Sequence, residues 1–262
     1  MRVNHLSLTA PLRYTLVRAA HLRARLPAAM NRFSSCLPAQ LAMLLAATAL
    51  PTRAGPSPQD WPGLATYRDQ NAAMLAQPAQ ARRVVFIGDS ITQGWALEKL
   101  APGFVNRGIS GQTTPQMLLR FRADVLALQP RAVVILAGTN DLAGNTGPAT
   151  PAMVEDNIAS MAELAQAHQI RVVLGALVPA AAYPWAPGIR PAAAIHEINQ
   201  WLQAYATRQG HVFVDFHTPM AEADGSLRRD YSGDGVHPNA AGYAVMNERL
   251  LAALRPLGLA GP

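Results

Sequence analysis

Arg83-Val84-Val85-Phe86-Ile87-Gly88-Asp89-Ser90 runs from a nearly continuous apolar stretch into a turn that carries a hydroxyl. A short β-branched run with no polar alternation suits a strand buried on both faces, as in a parallel sheet covered by helices. Similar short β-rich runs, two of them nearly as continuous, recur at 104–106, 132–137, 171–177 and 211–216, so the chain is read with strands at 83–87 and at those four places. Segments of helical spacing lie between them. Met117, Phe121 and Val125 recur every four residues, flanked by Leu118 and Leu126. Thr150-Pro151 supplies a cap and a first-turn proline ahead of Val154, Ile158, Met161 and Leu164. Ile195, Ile198, Trp201, Leu202 and Tyr205 line a third face that ends at Gly210, and Asn239 is placed to cap a last helix carrying Ala241, Val245 and Leu250. This alternation predicts one doubly wound α/β domain, a five-stranded parallel sheet with helices on both faces.

In such sheets ligand sites gather beyond the carboxyl ends of the strands. Ser90 stands there. Two more strand ends run into small polar loops, Arg107-Gly108-Ile109-Ser110-Gly111 and Gly138-Thr139-Asn140-Asp141. Near the other end of the chain, Asp234-Gly235-Val236-His237-Pro238-Asn239 puts a carboxylate three residues from an imidazole on one turn. A serine hydroxyl is a poor nucleophile until a positioned base takes its proton, and a carboxylate can orient that base. Acyl transfer also needs donors aimed at the oxygen that becomes negative. The backbone N–H groups of Ser90 and Gly111 and the amide of Asn140 are candidates. Gly111 could instead only permit a turn, and Asn140 could only brace its loop.

Gly88-Asp89-Ser90, Ser110-Gly111, Gly138-Thr139-Asn140-Asp141 and Asp234-Gly235-Val236-His237-Pro238, in this order and spacing, resemble the four blocks of the SGNH (GDSL) hydrolase superfamily. The resemblance spans about residues 82–250. It implies Ser90 as nucleophile, His237 as base and Asp234 as its orienter, with Ser90, Gly111 and Asn140 forming the oxyanion hole. The fold it implies is a flavodoxin-like three-layer α/β/α sandwich. Thr92 stands two residues after Ser90, so the chain lacks the Gly-x-Ser-x-Gly elbow of α/β-hydrolases. Asn106-Arg107-Gly108-Ile109-Ser110-Gly111-Gln112-Thr113-Thr114 is similar to the branch of platelet-activating-factor acetylhydrolase catalytic subunits and lysophospholipase-like esterases, although that branch more often has aspartate where Gln112 stands.

The first 54 residues differ from the rest. The chain of 262 residues has 22 basic and 16 acidic residues, a formal charge of +6; seven of its arginines and none of its acids lie in that leader. From Gly55 onward 15 basic residues face 16 acidic ones, a net charge of −1, which removes the case for a nucleic-acid partner. Residues 37–50 form an apolar stretch preceded by Arg32 and followed by Thr52-Arg53-Ala54, the pattern of an export signal cleaved after Ala54. Met30 is the expected start, with 1–29 an over-extended reading frame and 30–54 the signal peptide; an uncleaved membrane anchor is the alternative. Periplasmic or secreted placement follows, with no stable membrane span after cleavage. Cys36 is the single cysteine and precedes the apolar run, so a mature chain would have no disulfide and no thiolate metal site. The remaining chain divides into a surface segment at 55–81 and a hydrolase domain at 82–262. In the former, Trp61, Leu64 and Tyr67 recur at the spacing of a short helix packed on the core.

Other polar residues read as structural. Asp89 and Asp141 are placed to hold their loops. His168, His196 and His211 lie singly on element surfaces and read as solvated, while Asp215 points either to the crevice edge or into a structural hydrogen bond. No cluster has metal-ligand spacing, so neither a metal nor a cofactor is expected. Residues 179–188, with Tyr183 and Trp185, form a proline-rich loop that either walls the substrate pocket or merely covers surface. The predicted function is an exported serine esterase acting on small acyl esters of a small molecule or carbohydrate. A carbohydrate acetyl esterase and a lysophospholipase are the alternatives within catalysis. A non-catalytic binding module is disfavoured because Ser90, Gly111, Asn140, Asp234 and His237 are all present.

Overall fold

The computed structural model describes residues 58–260. The leader, its cleavage after Ala54, the start at Met30 and Cys36 all lie outside the described residues. Five parallel strands, β1 (Val84–Gly88), β2 (Phe104–Gly108), β3 (Ala132–Leu136), β4 (Arg171–Gly175) and β5 (Val212–Val214), form one sheet in the order β2-β1-β3-β4-β5. The helices are α1 (Arg68–Leu75), α2 (Ser90–Gln93), α3 (Leu97–Leu100), α4 (Thr114–Asp124), α5 (Thr139–Leu142), α6 (Pro151–Ala167), α7 (Ala192–Gln209) and α8 (Ala240–Leu254).

Strand periodicity divides the core into two layers. Val85, Ile87, Val133, Ile135, Val172 and Leu174 face one way and meet Met117 and Phe121 of α4, Ile158 of α6 and Ile198 of α7. Val84, Phe86, Val134, Leu136 and Val173 face the other way, toward Trp95, Leu97 of α3, and Met246 and Leu250 of α8. Helices thus cover both faces, and the unbroken apolar runs of β1 and β3 follow from burial on both sides. The chain turns from β1 to one side for β2 and to the other for β3. That reversal opens a crevice beyond the carboxyl ends of β1, β2 and β3.

Several boundaries shift for physical reasons. β2 continues to Gly108, because Arg107 and Gly108 stay in register with Ile87 and Gly88. β4 stops at Gly175; Ala176 still donates its N–H to the Val214 carbonyl at 2.9 Å, and the apolar Leu177 and Val178 beyond it are buried as loop. α8 buries Gly242, Met246, Leu250 and Leu254; of the expected face Leu250 is in the core and Val245 is half-buried against it, while Ala241 is exposed, because an alanine-rich sequence offers little contrast around the helix. Trp61, Leu64 and Tyr67 lie in turns instead of a helix, with Pro62 and Gly63 interrupting them. Trp61 and Leu64 are exposed, whereas Tyr67 is buried and its hydroxyl donates to the Gly108 carbonyl. Among the described residues, no helix is long and apolar enough to cross a membrane.

Candidate active site

β1 delivers Ser90 into the crevice through a tight turn. The Asp89 carboxylate accepts from the Ile91 N–H at 2.9 Å, capping α2 so that Ser90 opens its first turn. Burial pushes the Asp89 carboxyl up to about 6, while the Ile91 bond and the charge of His237 hold it back. β2 ends at Gly108, where a Cβ would stand only 2.2 Å from the Gln93 backbone nitrogen, so α2 rests directly on the end of this strand. Ser110 N–H donates to Gln93 Oε1 at 3.1 Å. The loop from β2 and the helix bearing Ser90 are thereby joined.

Ser90 Oγ lies 2.9 Å from His237 Nε2, and His237 Nδ1 lies 2.7 Å from Asp234 Oδ2. The hydroxyl donates to Nε2 when the ring carries its proton on Nδ1 and gives that bond to the carboxylate. Asp234 Oδ1 accepts from the backbone N–H of His237 at 2.8 Å and of Val236 at 2.9 Å. Partial burial raises the Asp234 pKa, but the bonds from His237 and Val236 outweigh it and hold the carboxyl well below the usual carboxylate range. Ser232 braces the same turn from beneath. Its buried hydroxyl donates to the His237 carbonyl at 2.8 Å and accepts from the Gly235 N–H at 2.9 Å.

Gly111 adopts φ +77°, in the region that favours glycine, and a Cβ there would meet only Asn145 Nδ2 at 3.8 Å. Buried Asn140, on α5 beyond β3, donates one amide proton to the Gln112 carbonyl at 3.1 Å, which leaves the second for another acceptor. Asn145 links the two positions: its Nδ2 donates to Gly111 O at 3.0 Å and to Asn140 Oδ1 at 2.9 Å. Asp141 accepts from the N–H and hydroxyl of Thr114, tying α5 to the start of α4. Burial raises its pKa to about 6 against the pull of those bonds.

Beneath the crevice lies a charged pair that the residue pattern did not disclose as functional. Arg120 is fully buried and bonds Asp124 Oδ2 at 3.0 Å, Gln112 Oε1 at 2.6 Å and the Gly88 carbonyl at 3.1 Å. One guanidinium thus ties the strand end before Ser90 to the residue after Gly111. Burying it unpaired would cost several kcal/mol, roughly, so all three bonds matter.

The 179–188 loop reaches the site. Trp185 sits beside His237 with ring centres 6.0 Å apart, stacks on buried Tyr183 at 5.2 Å, and donates its indole N–H to Asn145 Oδ1 at 3.1 Å. Other histidines stand apart: His168 and His196 are exposed, whereas His211 is half-buried against Tyr205, not solvated, and burial lowers its pKa. Asp215 takes the structural option, accepting from the N–H groups of His217 and Thr218. A cavity of about 330 Å³ lined by Arg171, His211 and Gln209 opens at the amino ends of β4 and β5, the opposite end of the sheet from Ser90.

Ser90 can therefore pass its proton to His237, whose ring Asp234 orients and whose charge it stabilises, and Gly111 and Asn140 are braced by a common partner. Residues 86–245 match the GDSL-like lipase/acylhydrolase family. Esterase TesA of Pseudomonas aeruginosa is 31% identical over 205 residues, covering 70% of this chain and 93% of that protein. A GDSL-like lipase of Bacteroides thetaiotaomicron is 41% identical, with a TM-score of 0.71 over 75% of this chain and 99% of its own. A Streptococcus pneumonia protein provisionally described as a platelet activating factor is 26% identical, with a TM-score of 0.62 over 74% and 90% of the two chains.

Proposed function

The chain belongs to the GDSL-like lipase/acylhydrolase family and is a carboxylic ester hydrolase; from that premise we propose an exported serine esterase that cleaves small acyl esters through an acyl-enzyme. The observation that carries the catalytic reading is the unbroken line of Ser90 Oγ, His237 Nε2, His237 Nδ1 and Asp234 Oδ2, at 2.9 and 2.7 Å. Ser90 Oγ adds to the acyl carbon as its proton passes to His237 Nε2. The carbonyl oxygen, now negative, is met by the N–H groups of Ser90 and Gly111 and the second amide proton of Asn140. The imidazolium, stabilised by Asp234, gives its proton to the departing alcohol oxygen. Water then adds to the acyl carbon as His237 takes its proton, and that proton returns to Ser90 Oγ as the acyl–Oγ bond breaks and the acid leaves.

A preference for acetyl to butyryl chains is part of this reading. The oxyanion corner at Gly111 is open, and an acyl chain gains about 0.8 kcal/mol per methylene only where the methylene is buried. Export rests on the basic-then-apolar leader ending at Ala54. The test is Ser90→Ala against a p-nitrophenyl ester series. The variant should lose about 10⁵-fold or more in kcat with an unchanged circular dichroism spectrum. Near-native turnover would remove Ser90 from the mechanism, a steady climb in kcat/KM to dodecanoyl esters would defeat the short-acyl reading, and recovery of the intact leader in a cytoplasmic fraction would defeat export.

A further inference from the structure

We propose that the face of Trp185 is the platform for the alcohol half of the ester, and that this alcohol is a neutral sugar ring. The proposal rests on the esterase reading above and extends it to the leaving group. During acylation the proton on His237 Nε2 must reach the alcohol oxygen as the bond from acyl carbon to that oxygen breaks. The alcohol oxygen therefore lies within hydrogen-bond reach of Nε2, and its carbon frame spreads over whatever borders the imidazole. That border is Trp185, 6.0 Å from the His237 ring centre.

Trp185 is built to stay in place while exposed. It leaves 44% of its surface open beside the catalytic base. One side is stacked on Tyr183, which is wholly buried, at an interplanar angle of 24°. Its indole N–H is committed to Asn145, the residue that also bonds Gly111 O and Asn140 Oδ1. The plate is thus fixed relative to both the base and the oxyanion corner, and binding costs little ordering entropy.

Charge selects the ligand class. Among the described residues, no Lys or Arg side chain is hydrogen-bonded, ion-paired or ring-stacked with Ser90, His237, Asn140, Asn145 or Trp185, so none of these groups holds a cation ready for a phosphate on the alcohol. A quaternary ammonium on the same indole would be repelled by the neighbouring imidazolium in the step that matters. A sugar ring avoids both costs: its C–H face covers the indole, and its hydroxyls reach water or donate to the second lone pair of Asn145 Oδ1.

The experiment compares two acetates that give the same acetyl-enzyme, a monoacetylated methyl xylopyranoside and ethyl acetate. Because deacylation is common to both, differences report the alcohol. Trp185→Leu should lose about tenfold more kcat/KM on the sugar ester than on ethyl acetate, the scale of one aromatic contact, and Trp185→Phe should recover most of that difference. Equal losses on the two esters would overturn the proposal by showing that Trp185 acts through His237 or Asn145. No loss on either would reduce it to plain surface. A Trp185-dependent preference of the wild type for lysophosphatidylcholine would overturn the neutral-alcohol assignment. Wild-type protein that turns over neither acetate nor lysophospholipid would overturn the esterase reading itself, and the platform with it.

Discussion

Replacing Asp234 by asparagine tests the triad at its most directional point. Oδ1 of Asp234 is held by the backbone N–H groups of Val236 and His237 at 2.9 and 2.8 Å. Two donors can be met only by an oxygen, so the asparagine amide is fixed with its carbonyl at that position. Its NH₂ then falls where Oδ2 stood, 2.7 Å from His237 Nδ1. A donor at that place demands an unprotonated Nδ1, which puts the ring proton on Nε2, the atom that has to accept the proton of Ser90. The equivalent change in a serine-protease triad lowers kcat about 10⁴-fold, close to 5 kcal/mol of barrier. A loss of about 10³ to 10⁴ in kcat is expected here, with KM little changed, because no substrate contact is removed. The assay is steady-state hydrolysis of p-nitrophenyl acetate, with folding checked by thermal melting and near-UV dichroism. A folded Asp234→Asn enzyme within tenfold of wild type would refute the reasoning, since the wrong tautomer would then be harmless.

Two further outcomes follow from the surroundings of Ser90. Gly108→Ala forces a methyl against the Gln93 backbone nitrogen at 2.2 Å, so α2 must move; the expected cost is about 1 to 3 kcal/mol of stability and a reduced kcat. A wild-type melting curve would show that the strand end and α2 are not in contact. Asp89→Asn concerns pH. The Asp89 carboxyl is raised to about 6 in the fold, above its ordinary 3.8, so between those values the folded state holds more protons than the unfolded one. Stability therefore falls as pH rises through that window, and the penalty is complete above about 6, at most about 3 kcal/mol. Asparagine keeps an oxygen for the Ile91 N–H and removes the charge. The variant should be more stable than wild type in urea at pH 7.5, and the gap should shrink toward pH 4.5. Parallel curves at both pH values would show that the charge carries no such cost.

The strands were legible because burial on both faces leaves an almost unmixed apolar run, and Thr150 and Asn239 were legible as caps because their side chains accept from helix-start N–H groups. The exposure of Ala241 on α8 was not, since alanine packs equally well on either side. Ser232 and Asn145 left no signal at all: a serine or asparagine in a polar loop is common, and only the folded backbone shows which amides it meets. Arg120 did leave one. It stands at i+3 from Met117 with Asp124 at i+7, on the same stripe as Phe121, so the pair lies on the core face of α4. Read as an i,i+4 pair alone, it looks like a solvated surface contact.

The turn that carries both His237 and Asp234 is closed upon itself by Ser232 and by two amides donating to one carboxylate oxygen. Base and acid consequently travel as one cassette, joined to the nucleophile by the span from Nε2 to the Ser90 hydroxyl. Displacements of this turn relative to β1 therefore change the Nε2–Oγ span first. The carboxylate–imidazole alignment survives them, and drift between distant sequence variants becomes a matter of reach rather than of aim.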